Sequence, residues 1–590
     1  MNKRWLILAT LAVLGAGLGQ AQVFTWPQKW TVAKPGEATP GGVLVGSTIS
    51  DFRTLNPFTT AEATNIPTIM ANGVGLARYD PTTAQQIPWM STGWTVSNNG
   101  LVFTFDIRKG MKFSDGQPIT SKDFITTWKI QADEKVGSNA YDGWYIADKP
   151  IILKALGDYK LQATFPSISA TALEQMSFTP WPDHIFGPVY AKEGADGIKK
   201  MWSLTTPPAQ IVSAGPFVLS GYRPGERAEF KKNPYYGEWN KDEQGNPLPY
   251  LDGQTVLIVK DTNADLAAFL SGKTDTYAPS TVDQVSQVKQ AIGAGNLKAT
   301  LKVNASPVAS SQFIVFNWNK ADNPFLQMVF RNVSFRRAMS ELTDRKAAVD
   351  LVYGGLGFPT YGSVYPVLKQ WVDPNIPRYE YDPKAAAQLL ASIGFRSKDK
   401  DGWLVYSGSD KQFQGKRLEF TLTTNTGNNQ REQLAQLFAK TAKEAGVKVN
   451  FAPVDFNTLV GQLLAKGDNR PFDAILIGLS GGGLAWPFGQ NVVPCGTNLH
   501  MYNKSGSCLT PQETLMTALY FKGNQTLDFK QRVQIGYQLQ QTEAQLQPII
   551  YIAGPAYNPA WNDRTGGNHP DSILTATWGS RETELTFIKK

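Results

Sequence analysis

Residues 101–128 read LVFTFDIRKGMKFSDGQPITSKDFITTW, and several local signals follow one another along them. From 102 to 107, VFTFDI alternates large apolar with polar side chains and is rich in aromatic and β-branched types, the pattern of a half-buried strand. Asp115-Gly116 marks a tight turn. Thr120, with Asp123 three positions on, is a capping-box start and predicts a helix that turns Phe124, Ile125 and Trp128 inward. Strand, turn and capped helix make a compact unit, but the general rules for such units fix residue classes rather than identities.

Here the identities also agree. In order and spacing the segment resembles the TF-LRKG-FxDGxPxTAxDxxxxW stretch of the family 5 extracellular solute-binding proteins, the peptide- and nickel-binding components of ABC importers. Toward the amino terminus, Gly93-Trp94-Thr95-Val96-Ser97, Leu76-Ala77-Arg78-Tyr79-Asp80 and Thr54-Leu55-Asn56-Pro57 resemble the segments that lead into it. Gly41-Gly42-Val43-Leu44-Val45-Gly46 resembles the family's opening strand. In the other direction the resemblance continues through Gly215-Pro216-Phe217, Asn233-Pro234-Tyr235-Tyr236 and Ser271-Gly272 with Asp275, the last following a short apolar helix at 266–270. In the middle, 313–317 reads as a strand, Asn323-Pro324-Phe325 as a turn, and Phe335-Arg336-Arg337-Ala338 and Asp344-Arg345-Lys346 resemble two of the family's helices, with Arg337 read as a surface residue that pairs locally. Asp382 and Pro383 suit the cap and first turn of a helix that Gly394 stops.

From 418 onward, periodicity alone sets a fold class. Residues 418–424, 447–453 and 472–478 read as strands; 430–445, closed by Gly446, and 455–466, capped by Asp455, read as helices. Strands alternating with helices build parallel βαβ units, whose ligands lie beyond the carboxyl ends of the strands, here 424–428 and 478–483. Together these readings predict an α/β, two-lobed periplasmic binding protein-like fold (type II, with an additional inserted subdomain), closing on a hinge. The resemblance puts the first lobe at 22–72, 202–278 and 548–590, the inserted subdomain at 73–201 and the second lobe at 279–547.

The chain opens with Lys3 and Arg4, an apolar run at 5–14 and small residues up to Gly19 and Ala21, which reads as a signal peptide over 1–21. No later run approaches the roughly 18 apolar residues of a membrane helix, and no Cys follows the apolar region to carry a lipid. The expectation is a freely diffusing periplasmic monomer without a membrane anchor. The composition, 42% hydrophobic and 18% charged over 590 residues, suits two or three globular domains. Loss of Lys3 and Arg4 lowers the formal charge of +8 to +6, with no basic cluster of the kind nucleic acid requires. Cys495 and Cys508 flank a short polar loop in an exported chain and predict a disulfide. His184, His500 and His569 form no recognisable structural zinc pattern; a mixed site at His500, between the cysteines, is the alternative. No cofactor is expected.

The expected partners are a peptide or other small-molecule ligand and the membrane permease of an ABC importer. In oligopeptide- and dipeptide-binding relatives an aspartate after the strand equivalent to 472–478 pairs with the peptide's α-ammonium. That position falls at or beside Gly482 here, and nothing acidic occurs from 474 to 510. What remains is backbone at Gly478, Leu479, Ser480 and Gly481, able to take an extended peptide as an added strand. Phe456, Trp486 and Phe488 are candidates for apolar or stacking walls, and the resemblance places Asn65 and Asn425 at the cleft. Aromatic walls with neutral polar groups also suit an oligosaccharide. From another class, Gly478-Leu479-Ser480-Gly481-Gly482 fits the G-x-S-x-G of a secreted serine hydrolase, with Asp563 and His569 in triad order. That elbow must open a helix, which the glycines and proline of 483–489 oppose.

Overall fold

A computed structural model gives the fold, describing residues 24–25, 36–38, 40–60, 65–71, 73–80, 85–567 and 583–589. The signal-peptide reading and His569 lie outside them. The deciding stretch forms as its local chemistry dictates: Val102–Ile107 is a strand that buries Phe103, Phe105 and Ile107. Ser121–Gln131 is a helix whose capping box is complete, Asp123 Oδ2 accepting from Thr120 N at 2.7 Å. Phe124 is buried, whereas Ile125 and Trp128 are only partly so, packed at the margin of the same core. The strand sits in a four-stranded antiparallel sheet with Ser91–Val96, Lys160–Thr164 and Ile152–Gly157. This sheet shares one apolar core with a second one, in which Phe217–Arg223, Arg227–Lys232 and Gly253–Ile258 are antiparallel and Val43–Thr48 joins in parallel.

A separate large core fills the second half of the chain. Its sheet runs in the order Ser306–Pro307, Ile549–Tyr557, Ser310–Phe316, Ala474–Ser480, Glu419–Thr423, Lys448–Phe451, with Gly357–Pro359 also on Ile549–Tyr557. The last three strands of that order are parallel, as the βαβ pattern requires, joined by the helices Asn429–Ala445 and Phe456–Leu464. Ser310–Phe316 is antiparallel to both its neighbours, so the sheet is mixed.

Two expectations change. Asn323-Pro324-Phe325 is a helix start, not a free turn: Asn323 Oδ1 accepts from Leu326 N at 3.2 Å and Pro324 takes the first position of Pro324–Arg331. Ile549–Tyr557, expected with 548–590 in the first lobe, pairs with Ser306–Pro307 and Ser310–Phe316 of this mixed sheet, while Ala560–Asn562 beyond it joins Thr276–Tyr277 and Ala299–Leu301. Arg337 stays near the surface, donating to Gln545 O at 2.7 Å, while Arg336 is buried and clamps the carbonyls of Leu546 and Gln547.

Candidate functional site

A cavity of about 740 Å³ opens where the carboxyl end of Ala474–Ser480 faces residues 131–140, within the size range of small-ligand sites. Gly478, Leu479, Ser480, Gly481 and Gly482 all line it. Their backbone is not equivalent. Gly481 N donates to Ala309 O at 2.9 Å, and Leu479 lies opposite Ser311; with the alternation of an antiparallel ladder, these two residues turn to Ser310–Phe316, and Gly478 and Ser480 turn the other way. On that side Glu419–Thr423 ends opposite Ile475 and the Thr424 hydroxyl donates to Leu476 O at 2.7 Å. Beyond it, among the described residues no strand pairs with Gly478 and Ser480 on that side, and both line the cavity.

Asn65 lines the cavity, its Oδ1 accepting from Thr68 N at 2.8 Å at the start of the helix Ile66–Ala71. Phe456, first residue of its helix, lines it too. Asn425 does not; it is buried one layer behind, where its Oδ1 accepts from Arg431 Nη1 at 2.8 Å. Arg431 is on the wall, and its Nε donates to Gln312 Oε1 at 2.9 Å. Burial pulls its pKa down to about 10, which leaves it a cation at neutral pH. Both of these hydrogen-bond partners are neutral amides. Gly478 makes room for this arrangement: a Cβ there would lie 2.6 Å from Gln312 Nε2. Sequence reasoning missed Arg431 and Gln312, because a charged residue in the first turn of an amphipathic helix has the signature of a solvated face.

Trp486 and Phe488 are not walls of the cavity. Both are buried in the large core of the second half of the chain, their rings 4.6 Å apart, with Trp371 edge-on to Trp486 at 5.7 Å. Two helices, Pro511–Asn524 and Phe529–Leu546, provide the bed: a Cβ on Gly523 would lie 2.2 Å from the Trp486 ring, and one on Gly536 3.3 Å from Phe488. Pro487, between the two aromatics, is the residue that reaches the cavity.

Cys495 and Cys508 form the disulfide. Their segment supplies Val492, Val493, Leu499 and Met501 to the wall. His500 Nε2 lies 3.3 Å from Glu513 Oε1 with both side chains buried, and Cys495 completes a cluster of potential ligand atoms. The disulfide takes the Cys495 thiolate out of that cluster, which is the physical objection to a mixed metal site. Ser480 continues into a loop with positive φ at Gly481 and Gly482 rather than a helix, and Asp563 is bonded to the Thr300 hydroxyl in the three-stranded sheet region. The hydrolase elbow is therefore not formed.

Residues 85–492 match the family profile described as "Bacterial extracellular solute-binding proteins, family 5 Middle". The chain belongs to this family. Among its relatives, a "Probable ABC transporter-binding protein" of Deinococcus radiodurans is 45% identical over 99% of this chain and 100% of its own length. Two solved structures share the fold of these solute-binding proteins. One is the oligopeptide-binding protein AppA of Bacillus subtilis with a nonapeptide (TM-score 0.77, 23% identity, 94% of this chain and 100% of that one). The other is the periplasmic binding protein MelB of Agrobacterium fabrum with stachyose (TM-score 0.81, 21% identity, 96% and 87%). Among the described residues, no helix of this solute-binding protein is long and apolar enough to cross a membrane.

Proposed function

We propose that this solute-binding protein captures a peptide between its lobes and delivers it to the permease of an ABC importer, without catalytic turnover. The carrying observation is the open backbone edge at Gly478 and Ser480 beside the cavity, which offers donors and acceptors at the spacing of an added strand. Arg431 is the anchor for an anionic group of the ligand, a carboxylate, because a guanidinium bonded to neutral amides still has charge to neutralise. Phe456 supplies apolar surface and Asn65 a polar contact. The protein is exported by cleavage after residue 21 and works as a monomer in the periplasm.

An oligosaccharide is the second reading. The neutral polar residues Asn65, Gln131, Ser138 and Asn139 on the wall favour it, as does the stachyose held by MelB. Calorimetry with a mixed peptide library, the same library acetylated, and stachyose separates the two. Binding of either library supports the peptide reading, with acetylation expected to leave affinity unchanged; heat with stachyose alone overturns it.

A further inference from the structure

Among the described residues, hydrogen bonds join the inserted subdomain to the second lobe at two places. At one, Asn498 N donates to Asp142 Oδ2 at 2.6 Å and Asn498 Nδ2 to Asn139 Oδ1 at 2.9 Å. At the other, Ala170 N donates to Asn524 O at 2.7 Å, and Glu174, on the short helix Ala172–Gln175, pushes its carboxylate under the glycine loop that follows Ser480. Glu174 accepts from the Tyr79 hydroxyl, from Ala485 N at 3.2 Å and from the N–H of Leu484. Tyr79, also from the first half of the chain, is packed into the second-lobe core. The loop is built to receive the carboxylate, since a Cβ on Gly483 would lie 2.8 Å from Glu174 Oε2. A Cβ there would also lie 2.8 Å from the Trp486 carbonyl oxygen, so the loop's own backbone requires glycine at 483 as well; its φ is not the cause, being outside the positive range of Gly481 and Gly482.

We infer that Glu174 is a positioning residue that crosses between lobes to fix the loop carrying Gly481 and Gly482, so that this wall of the cavity is complete only when the lobes are together. With the lobes apart, water satisfies both the carboxylate and the loop amides. With them together, each satisfies the other, and any misdocked arrangement leaves a buried charge without donors, which is costly. The device therefore enforces one docking register more than it adds affinity. It requires only the two-lobed fold and stands whether the ligand is a peptide or a sugar.

The test uses the ligand-free full-length protein, spin-labelled at Lys192→Cys in the inserted subdomain and Lys440→Cys in the second lobe, both exposed. Glu174→Ala and Gly483→Ala are each expected to shift the interlobe distance distribution by electron–electron resonance toward longer values. They are also expected to speed amide exchange at Leu484 and Ala485 by about tenfold, leaving exchange within 495–508 unchanged. Glu174→Gln, which keeps one acceptor oxygen, falls between. Faster exchange with an unchanged distance distribution would make Glu174 a local packing residue and overturn the inference, as would no change in either. If Glu174→Ala does not fold, Glu174→Gln decides the matter by the same two readouts, because an alanine at 483 would also press on the Trp486 carbonyl; failure of both Glu174 variants to fold assigns the group to folding and also overturns the inference.

Discussion

Replacing Trp486 by Ala separates a core role from a ligand-wall role. The side chain is 1% exposed and touches Trp371 and Phe488. Its bed is rigid, since Gly523 and Gly536 lie on helices that cannot collapse into the space. Truncating a buried aromatic in such a setting costs about 3–5 kcal/mol. For a lobe of this size each kcal/mol moves the midpoint by roughly 2–4 °C, so the second-lobe transition should fall by on the order of 10 °C. Trp486→Phe should cost far less. The indole N–H has no partner among the described residues, and removing such a buried donor recovers about 1–3 kcal/mol of what the smaller ring loses. Differential scanning calorimetry of the full chain reads both variants. A Trp486→Ala midpoint within about 2 °C of the parent, together with lost ligand binding, would return Trp486 to the cavity wall and refute the packing argument.

Three further outcomes are expected. Arg431→Gln should weaken binding of a carboxylate-bearing ligand by about tenfold or more; calorimetric titration against the amidated form of the same ligand checks it, because amidation should erase the difference. The double variant Cys495→Ser/Cys508→Ser, opening a link 13 residues apart in sequence, should lose about 3 kcal/mol, and mass spectrometry of the parent should find both thiols blocked to alkylation without reductant. Burial pushes the Lys504 ammonium down to about 8 from its ordinary 10.5. Between those two pH values the unfolded chain binds the additional proton, so this group makes stability rise with pH there; the rise should be missing from the pH–midpoint curve of Lys504→Met.

Local chemistry made much of the fold readable. Thr120 with Asp123 and Asp455 with its helix declare themselves within four residues, and the alternation from 418 to 480 declares a parallel sheet because each strand is followed by the helix that covers it. The antiparallel placement of Ser310–Phe316 has no such local cause; it follows from a partner far along the chain. The same distinction governs the site. Gly478 and Ser480 lie at a strand end, which the parallel pattern points to, whereas Trp486 has the same local sequence whether it faces a ligand or a core. Its fate is decided by Gly523 and Gly536, on helices the loop does not predict. Arg431 is hidden for the opposite reason: its helix is amphipathic, and only the approach of Gln312 and Asn425 converts a surface position into a cavity wall.

The position of Ile549–Tyr557 sets an order of events for the chain as it emerges. This strand inserts between Ser306–Pro307 and Ser310–Phe316, yet it is synthesised roughly 230 residues after them, a separation that makes pairing slow. Until it arrives, Ser310–Phe316 has an unoccupied apolar edge of the kind that templates aggregation. The last part of the chain is thus the closing piece of the second lobe, and an amino-terminal fragment that stops before Ile549 lacks a strand from the middle of its own sheet. Only a chain that extends through Tyr557 can bury that edge.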